Sequence, residues 1–102
     1  MTYNKLVRDK IPQIIRAQGL TPVTRILAED EYLQCLETKL DEEVREFHAD
    51  KNLEELADIL EVLYALTEAK GYTHAQLLEA REHKREVRGG FSDRVFLIKN
   101  EG

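Results

Sequence analysis

The sequence predicts a mainly α protein, an antiparallel helical bundle with a small two-stranded β appendage. Three observations carry that prediction. Two long runs, about residues 29–49 and 53–70, repeat apolar residues at helical spacing on either side of a short polar break. Gly and Pro punctuate the edges of the helical runs and stay out of their middles. Only two short segments, Thr21–Leu27 and Arg94–Lys99, read as strands. With 102 residues and no low-complexity stretch, internal repeat or linker, the chain reads as one domain over 1–102.

The elements follow in order. Pro12 suits the first turn of a helix, where its missing N–H costs nothing, and Gly19 suits the position after the end, so the two bracket a short helix carrying Ile14 and Ile15. Thr21–Leu27 is β-branched enough for a short strand, which Pro22 confines to a sheet edge or a strand start. Leu33, Leu36, Leu40, Val44 and Phe47 then make one apolar stripe on a long core-facing helix. A second long helix follows, with Leu56, Ile59, Leu60, Val62, Leu63 and Leu66 spread over a much wider arc, and ends at Gly71. That breadth marks it as the central helix. Thr73 with Gln76 three residues later makes a capping box opening a polar helix that stops at Gly89-Gly90. Arg94–Lys99 reads as a strand, its partner being Thr21–Leu27.

Composition excludes several classes. A net charge of −5, a pI of about 5.2 and 34% charged residues argue against a general DNA- or RNA-binding surface, which is usually basic. One cysteine, Cys35, leaves no internal disulfide, and it reads as a half-buried thiol. No apolar run approaches the length of a membrane span, and the opening residues lack the apolar core of a signal peptide. A soluble, cytoplasmic protein is expected.

The chemistry concentrates in two steps of paired acids, Glu43-x-x-Glu46 and Glu55-x-x-Asp58, on either side of the Ala49–Asn52 break. If the flanking helices fold back antiparallel, Glu46 sits level with Glu55 and Glu43 with Asp58, because both pairs share one residue-number sum. The axes of such a hairpin lie roughly 8–10 Å apart. Lys39, Glu43, Glu46 and Asp50 fall along one edge of the apolar stripe, while Glu42 and Arg45 point further away. On the next helix Glu55 and Asp58 lie at the apolar boundary, and Glu54, Glu61 and Glu68 share the opposite face as ordinary solvated charge.

Four carboxylates crowded together resist simultaneous ionisation unless a cation sits among them. Hard oxygen ligands suit Mg²⁺, Mn²⁺ or Ca²⁺. A di-iron bundle would show Glu-x-x-His steps, and none of His48, His74 or His83 follows a Glu by three. A zinc site would recruit Cys or His. The histidines are therefore read as surface residues. A carboxylate Mg²⁺ site leaves positions for water and substrate phosphates, so a phosphate ester or anhydride is the expected substrate. Arg81, Lys84 and Arg88 line up on the last helix as a basic stripe, partly offset by Glu79, Glu82 and Glu86. Arg88-Gly-Gly-Phe91 follows, its glycines permitting close backbone approach, with Phe91 able to pack on a base or enter the core.

The run Lys39-Leu-Asp-Glu-Glu-Val-Arg-Glu-Phe, followed by Glu54-Glu-Leu-Ala-Asp-Ile-Leu-Glu-Val, resembles the Glu-Glu-x-x-Glu … Glu-x-x-Asp signature of all-α nucleoside triphosphate pyrophosphohydrolases. That superfamily includes MazG-like proteins, dimeric dUTPases and phosphoribosyl-ATP pyrophosphohydrolase. The opening Tyr3-Asn-Lys-Leu-Val-Arg-Asp-Lys-Ile-Pro12 and the Lys84…Arg88-Gly-Gly-Phe91 run resemble a compact, house-cleaning branch that removes noncanonical nucleotides. The likeness spans nearly the whole chain. The gap between the acid pairs is shorter than in many MazG-like members.

The resemblance implies Mg²⁺-dependent cleavage between the α and β phosphates, giving a nucleoside monophosphate and pyrophosphate, with Mn²⁺ as a substitute ion. Glu43, Glu46, Glu55 and Asp58 become the metal ligands, and Glu43 or Glu46 the group that orients or deprotonates water. Lys39, Lys84, Arg88 and Phe91 become substrate contacts, with Lys5 and Arg8 closing over the nucleotide. A homodimer or homotetramer is implied, and the broad apolar arc of the central helix agrees with burial against a second subunit. Two other readings compete. One is phosphoribosyl-ATP pyrophosphohydrolase, which the Asn4–Pro12 opening disfavours. The other is a noncatalytic nucleotide-binding helical module.

Overall fold

The computed structural model describes residues 2–102, which contain four helices: α1 (Ile11–Ala17), α2 (Glu29–Asp50), α3 (Leu53–Ala69) and α4 (His74–Arg88). Pro12 lies in the first turn of α1. Past its end, the Gln18 and Gly19 N–H groups donate to the Ile15 and Arg16 carbonyls at 3.0 Å, with Gly19 at a φ of +83° that other residues resist.

At the start of α2 the carboxylate of Glu31 accepts from the Ala28 N–H at 3.4 Å and is gripped by both guanidinium nitrogens of Arg25 at 2.9 and 3.3 Å. Those bonds hold the Glu31 carboxyl below its ordinary range, the Arg25 side chain contributing most. Glu29, Asp30 and Glu31 also place negative charge where the helix dipole favours it. The other end is a tight reversal. Lys51 takes a left-handed φ of 53° and donates to the Phe47 carbonyl at 2.7 Å. Asn52 immediately caps α3, its side-chain oxygen accepting from the Glu55 N–H at 3.0 Å. A two-residue connection forces α2 and α3 to run antiparallel side by side. The capping box on α4 is present in both directions, Gln76 N–H to Thr73 Oγ1 at 3.1 Å and Thr73 N–H to Gln76 Oε1 at 2.8 Å.

The α2–α3 hairpin is the packed part of the molecule, and α4 packs only on α3. At the centre of the hairpin lie Leu36 and Val62, 3% and 7% exposed. Each contributes about 1.5–3 kcal/mol of burial, and no other apolar residue is as well covered among those described. The molecule is elongated, 65 × 32 × 22 Å. Along α3, Leu53, Leu56, Leu60 and Leu63 form an exposed stripe at alternating spacings of three and four.

The β appendage is absent among the described residues. Thr21–Leu27 and Arg94–Lys99 are not strands, and Val23, Ile26 and Val95–Ile98 stand in solvent. A strand needs a hydrogen-bonding neighbour. Within one chain these two segments have none, and Pro22 removes one donor from the first. No helix among the described residues is long and apolar enough to cross a membrane.

Candidate functional site

The reversal at Lys51–Asn52 sets the two acid pairs face to face. Glu43, Glu46, Glu55 and Asp58 each present an oxygen, and the four oxygens all lie within 4.8 Å of one another. Glu55 is positioned by the cap itself, since its backbone N–H is the one Asn52 holds. Glu43 is only 6% exposed, although it is a carboxylate. One oxygen of Glu43 and one of Glu55 are buried with no hydrogen-bond partner. Buried polar atoms without partners cost free energy, so these two are the strongest sign that the cluster is shaped for something else.

Titration agrees with crowding. Burial pushes the Glu43 carboxyl above its ordinary value, the neighbouring Glu46 adds to the rise, and Lys39 opposes it. Glu55 is raised too, by desolvation first and then by the charges of Asp50, Asp58 and Glu43. A divalent cation would remove both penalties. An all-oxygen donor set with orphaned carboxylate atoms fits Mg²⁺ or Mn²⁺, and no imidazole or thiolate shares the cluster.

Cations surround the acids. Lys39 bridges Glu42 and Glu43, its Nζ 3.3 Å from each carboxylate. Lys5 reaches Glu42 at 3.5 Å, and Arg8 reaches Asp58 at 2.6 Å. Desolvation of Glu42 is outweighed by Lys39 and Lys5, so its carboxyl titrates below the ordinary range. The segment before α1 is thus tied to the hairpin by two ion pairs, one on a candidate metal ligand.

A cleft of about 500 Å³ opens beside the acids, a size typical of small-molecule sites. Leu6–Lys10 form one wall. The floor is the stripe Tyr32, Leu36, Lys39 and Glu43 of α2 with Asp58, Val62 and Ala65 of α3. Lys39 and Arg8 therefore reach both the acids and the cleft, while Lys5 touches the acids' flank through Glu42.

Three expected contacts fall elsewhere. Lys84, Arg88 and Phe91 are exposed on α4 and the tail and do not line the cleft, Phe91 being 97% exposed. The reason is that α4 meets the hairpin only through α3 and starts at the end of α3 remote from Glu55.

Conversely, Glu61, Glu68, Tyr64 and His74 line the cleft. Glu61, Glu68 and His74 are exposed, as expected, and they also border the cleft, with His74 held by neighbours. Its ring stacks on Tyr64 with centroids 4.2 Å apart and planes at 18°, and its Nε2 lies 2.8 Å from Glu68 Oε1. The spacing Tyr32, Leu36, Lys39, Glu43 is the signal that extends the acid stripe to this end. The α4 contribution has no signal of its own in the local pattern.

No family model matches the chain, and no solved structure matches it. Over 45 residues it is 60% identical to an uncharacterized protein of Mycolicibacterium smegmatis. That stretch covers 44% of this chain and 46% of the relative, so the chain spans less than half the length of the curated protein it matches.

Proposed function

We propose that this chain is a Mg²⁺-dependent nucleoside triphosphate pyrophosphohydrolase of the all-α superfamily its motifs resemble, cleaving the α–β phosphoanhydride of noncanonical nucleotides to a monophosphate and pyrophosphate. The observation that carries this reading is the convergence of four carboxylate oxygens within 4.8 Å, two of the residues having a buried, unpartnered oxygen, at the edge of a cleft that also holds Lys39 and Arg8.

Glu43, Glu46, Glu55 and Asp58 would hold Mg²⁺, with Mn²⁺ as a substitute. When bound, the ion supplies charge neutralisation at the phosphoryl oxygens and a lowered pKa for bound water. The protein's own groups divide the remaining work. Glu43 is buried and paired to Lys39, which suits a fixed ligand. Glu46 is the exposed member of the cluster and has access to solvent, which suits orienting or deprotonating the attacking water. Lys39 and Arg8 stand where they can hold phosphate oxygens and offset charge on the leaving pyrophosphate.

The active form in this reading is a homodimer or homotetramer. The chain exposes 9304 Å², whereas a compact 11.9 kDa monomer exposes about 5,900 Å². The excess, with the exposed leucine stripe of α3, is what a second copy would cover. The single free thiol suits a reducing compartment, and the cytoplasm is the proposed location.

The test is incubation with standard, deoxy and oxidised nucleoside triphosphates, with Mg²⁺ and with EDTA, resolving products by ion exchange. Mg²⁺-dependent monophosphate and pyrophosphate are expected, and Glu46→Gln should lower turnover by at least about 100-fold with its circular dichroism unchanged. Diphosphate plus phosphate would overturn the bond assignment. Turnover of phosphoribosyl-ATP alone would move the chain to that enzyme, and binding without turnover would make it a noncatalytic module.

A further inference from the structure

Two apolar segments stand outside the helices and outside the cleft. After α4, residues 91–94 close a turn in which the Arg94 N–H donates to the Phe91 carbonyl at 3.0 Å, with Arg94 at a φ of 58°. That turn launches Val95, Phe96, Leu97 and Ile98, four consecutive apolar residues that are all exposed. The other segment is residues 21–27, where Val23 and Ile26 are almost fully exposed. It is held at both ends. The Leu20 N–H donates to the Ile15 carbonyl at 3.3 Å, and the Arg25 guanidinium is clamped on Glu31 at 2.9 and 3.3 Å. Among the described residues, no backbone N–H of 21–27 or 95–99 donates to another backbone carbonyl.

An uncovered apolar segment with free backbone donors is a template for pairing with another chain. The β-branched and aromatic residues at 95–98 suit a strand. Arg94 and Lys99 bracket them with charge, which discourages growth into an open fibre. Residues 21–27 are the complementary acceptor, preset by the Arg25 clamp and by the fixed φ of Pro22, so less freedom is lost on pairing. The two segments do not meet within one chain. The 15 residues of α4, roughly 22 Å at the helical rise, lie between the end of α3 and the tail. In a two-fold dimer each tail reaches the other copy's 21–27 segment, and the contact closes at two copies. The surface suffices. The chain exposes roughly 3,400 Å² more than a compact monomer of its mass, several times the approximately 800 Å² that each partner gives to a standard interface. A two-stranded ladder needs an apolar helix face to lie on, and the exposed Leu53, Leu56, Leu60 and Leu63 stripe of α3 is one.

Resting on the homo-oligomer in the reading above, we infer that two copies of this chain join by strand exchange, residues 95–98 of each pairing with residues 21–27 of the other. The β element that the composition announces forms between chains, not within one.

Light scattering and amide I infrared spectra of the intact chain over a dilution series test this. A dimer is expected, with a strand band that disappears in step with the dimer mass. Leu97→Pro combined with Ile98→Pro removes two adjacent donors, one of which faces the ladder in any register, and should weaken dimerisation by at least about tenfold. Val23→Asp combined with Ile26→Asp puts charge on both faces of the acceptor and should do the same. All four side chains are exposed, so the helical circular dichroism should not change. An equimolar mixture of the two double variants should recover dimer, because the acceptor of the first and the tail of the second rebuild one ladder. Dimers without a strand band, or indifferent to the tail prolines, overturn the exchange and leave an oligomer held another way. No recovery in the mixture also overturns it, since tails pairing with each other give that result. A monomer at every concentration removes both the exchange and the oligomer. A strand band and dimer without triphosphate turnover sink the hydrolase and leave the exchange.

Discussion

The α2–α3 hairpin and the α4 arm with its tail are built from helices of similar length, yet they stand differently to solvent. The hairpin buries Leu36, Val62 and even Glu43, and holds its ion pairs at its flanks. Beyond α4, Phe91 and Val95–Ile98 are apolar and uncovered. The difference teaches that one chain completes its own acid cluster but not its own apolar burial. A two-residue connection makes the hairpin's contacts local and cheap in chain entropy, whereas the tail has to find a surface elsewhere.

The sharpest way to break that comparison is to remove one side chain from each region. Leu36→Ala should cost about 2–5 kcal/mol, read by urea unfolding, because it leaves a cavity in the best-packed layer among the described residues. Leu97→Ala should stay within about 0.5 kcal/mol for an isolated chain, since its side chain is already exposed. A much larger, protein-concentration-dependent cost at Leu97 would show the tail buried against another copy.

The next effect concerns the segment tied to the hairpin by Arg8. The guanidinium occupies Asp58 at 2.6 Å, so it competes with any cation there. Arg8→Ala should tighten Mn²⁺ binding by up to about fivefold, in line with the modest worth of exposed ion pairs. Calorimetry with the metal alone reads this, and unchanged or weaker binding would mean the pair does not oppose the ion.

The smallest effect is on pH dependence. Glu43 and Glu55 titrate above their ordinary value of 4.5 in the folded protein. Between that value and their raised ones the native state binds more protons than the unfolded state, so stability falls as pH rises through the window. Glu31 and Glu42 are shifted down, and their contribution is present above 4.5 and lost as pH falls below it. Thermal melts in EDTA should therefore show a decline in Tm upward from about pH 4.5 that Mg²⁺ suppresses and Glu43→Gln lessens. A Tm that climbs steadily to neutral pH would contradict the crowding of the acids.

Much of this was legible in the residues. The helix ends were written in Pro12, Gly19, Thr73-x-x-Gln76 and the glycines at 71 and 89, each needed for a local backbone reason. The pairing of Glu43 and Glu46 with Glu55 and Asp58 followed from periodicity and a short turn. Thr21–Leu27 and Arg94–Lys99 misled because β-branched composition describes what a segment tolerates, not whether a neighbour exists. Glu61 and Glu68 are exposed, as the angular projection of α3 predicts, and what it could not show is that they also border the cleft.

By itself, then, the sequence determined the helices, their caps and the four-acid cluster, all consequences of forces acting over a few residues or across one tight turn. Only the tertiary structure decided that Arg8 reaches Asp58, that His74 stacks on Tyr64, and that Lys84, Arg88 and Phe91 stay outside the cleft. Those outcomes depend on the angles at which α4 and the opening segment meet the hairpin, which are set by packing between residues remote in the chain.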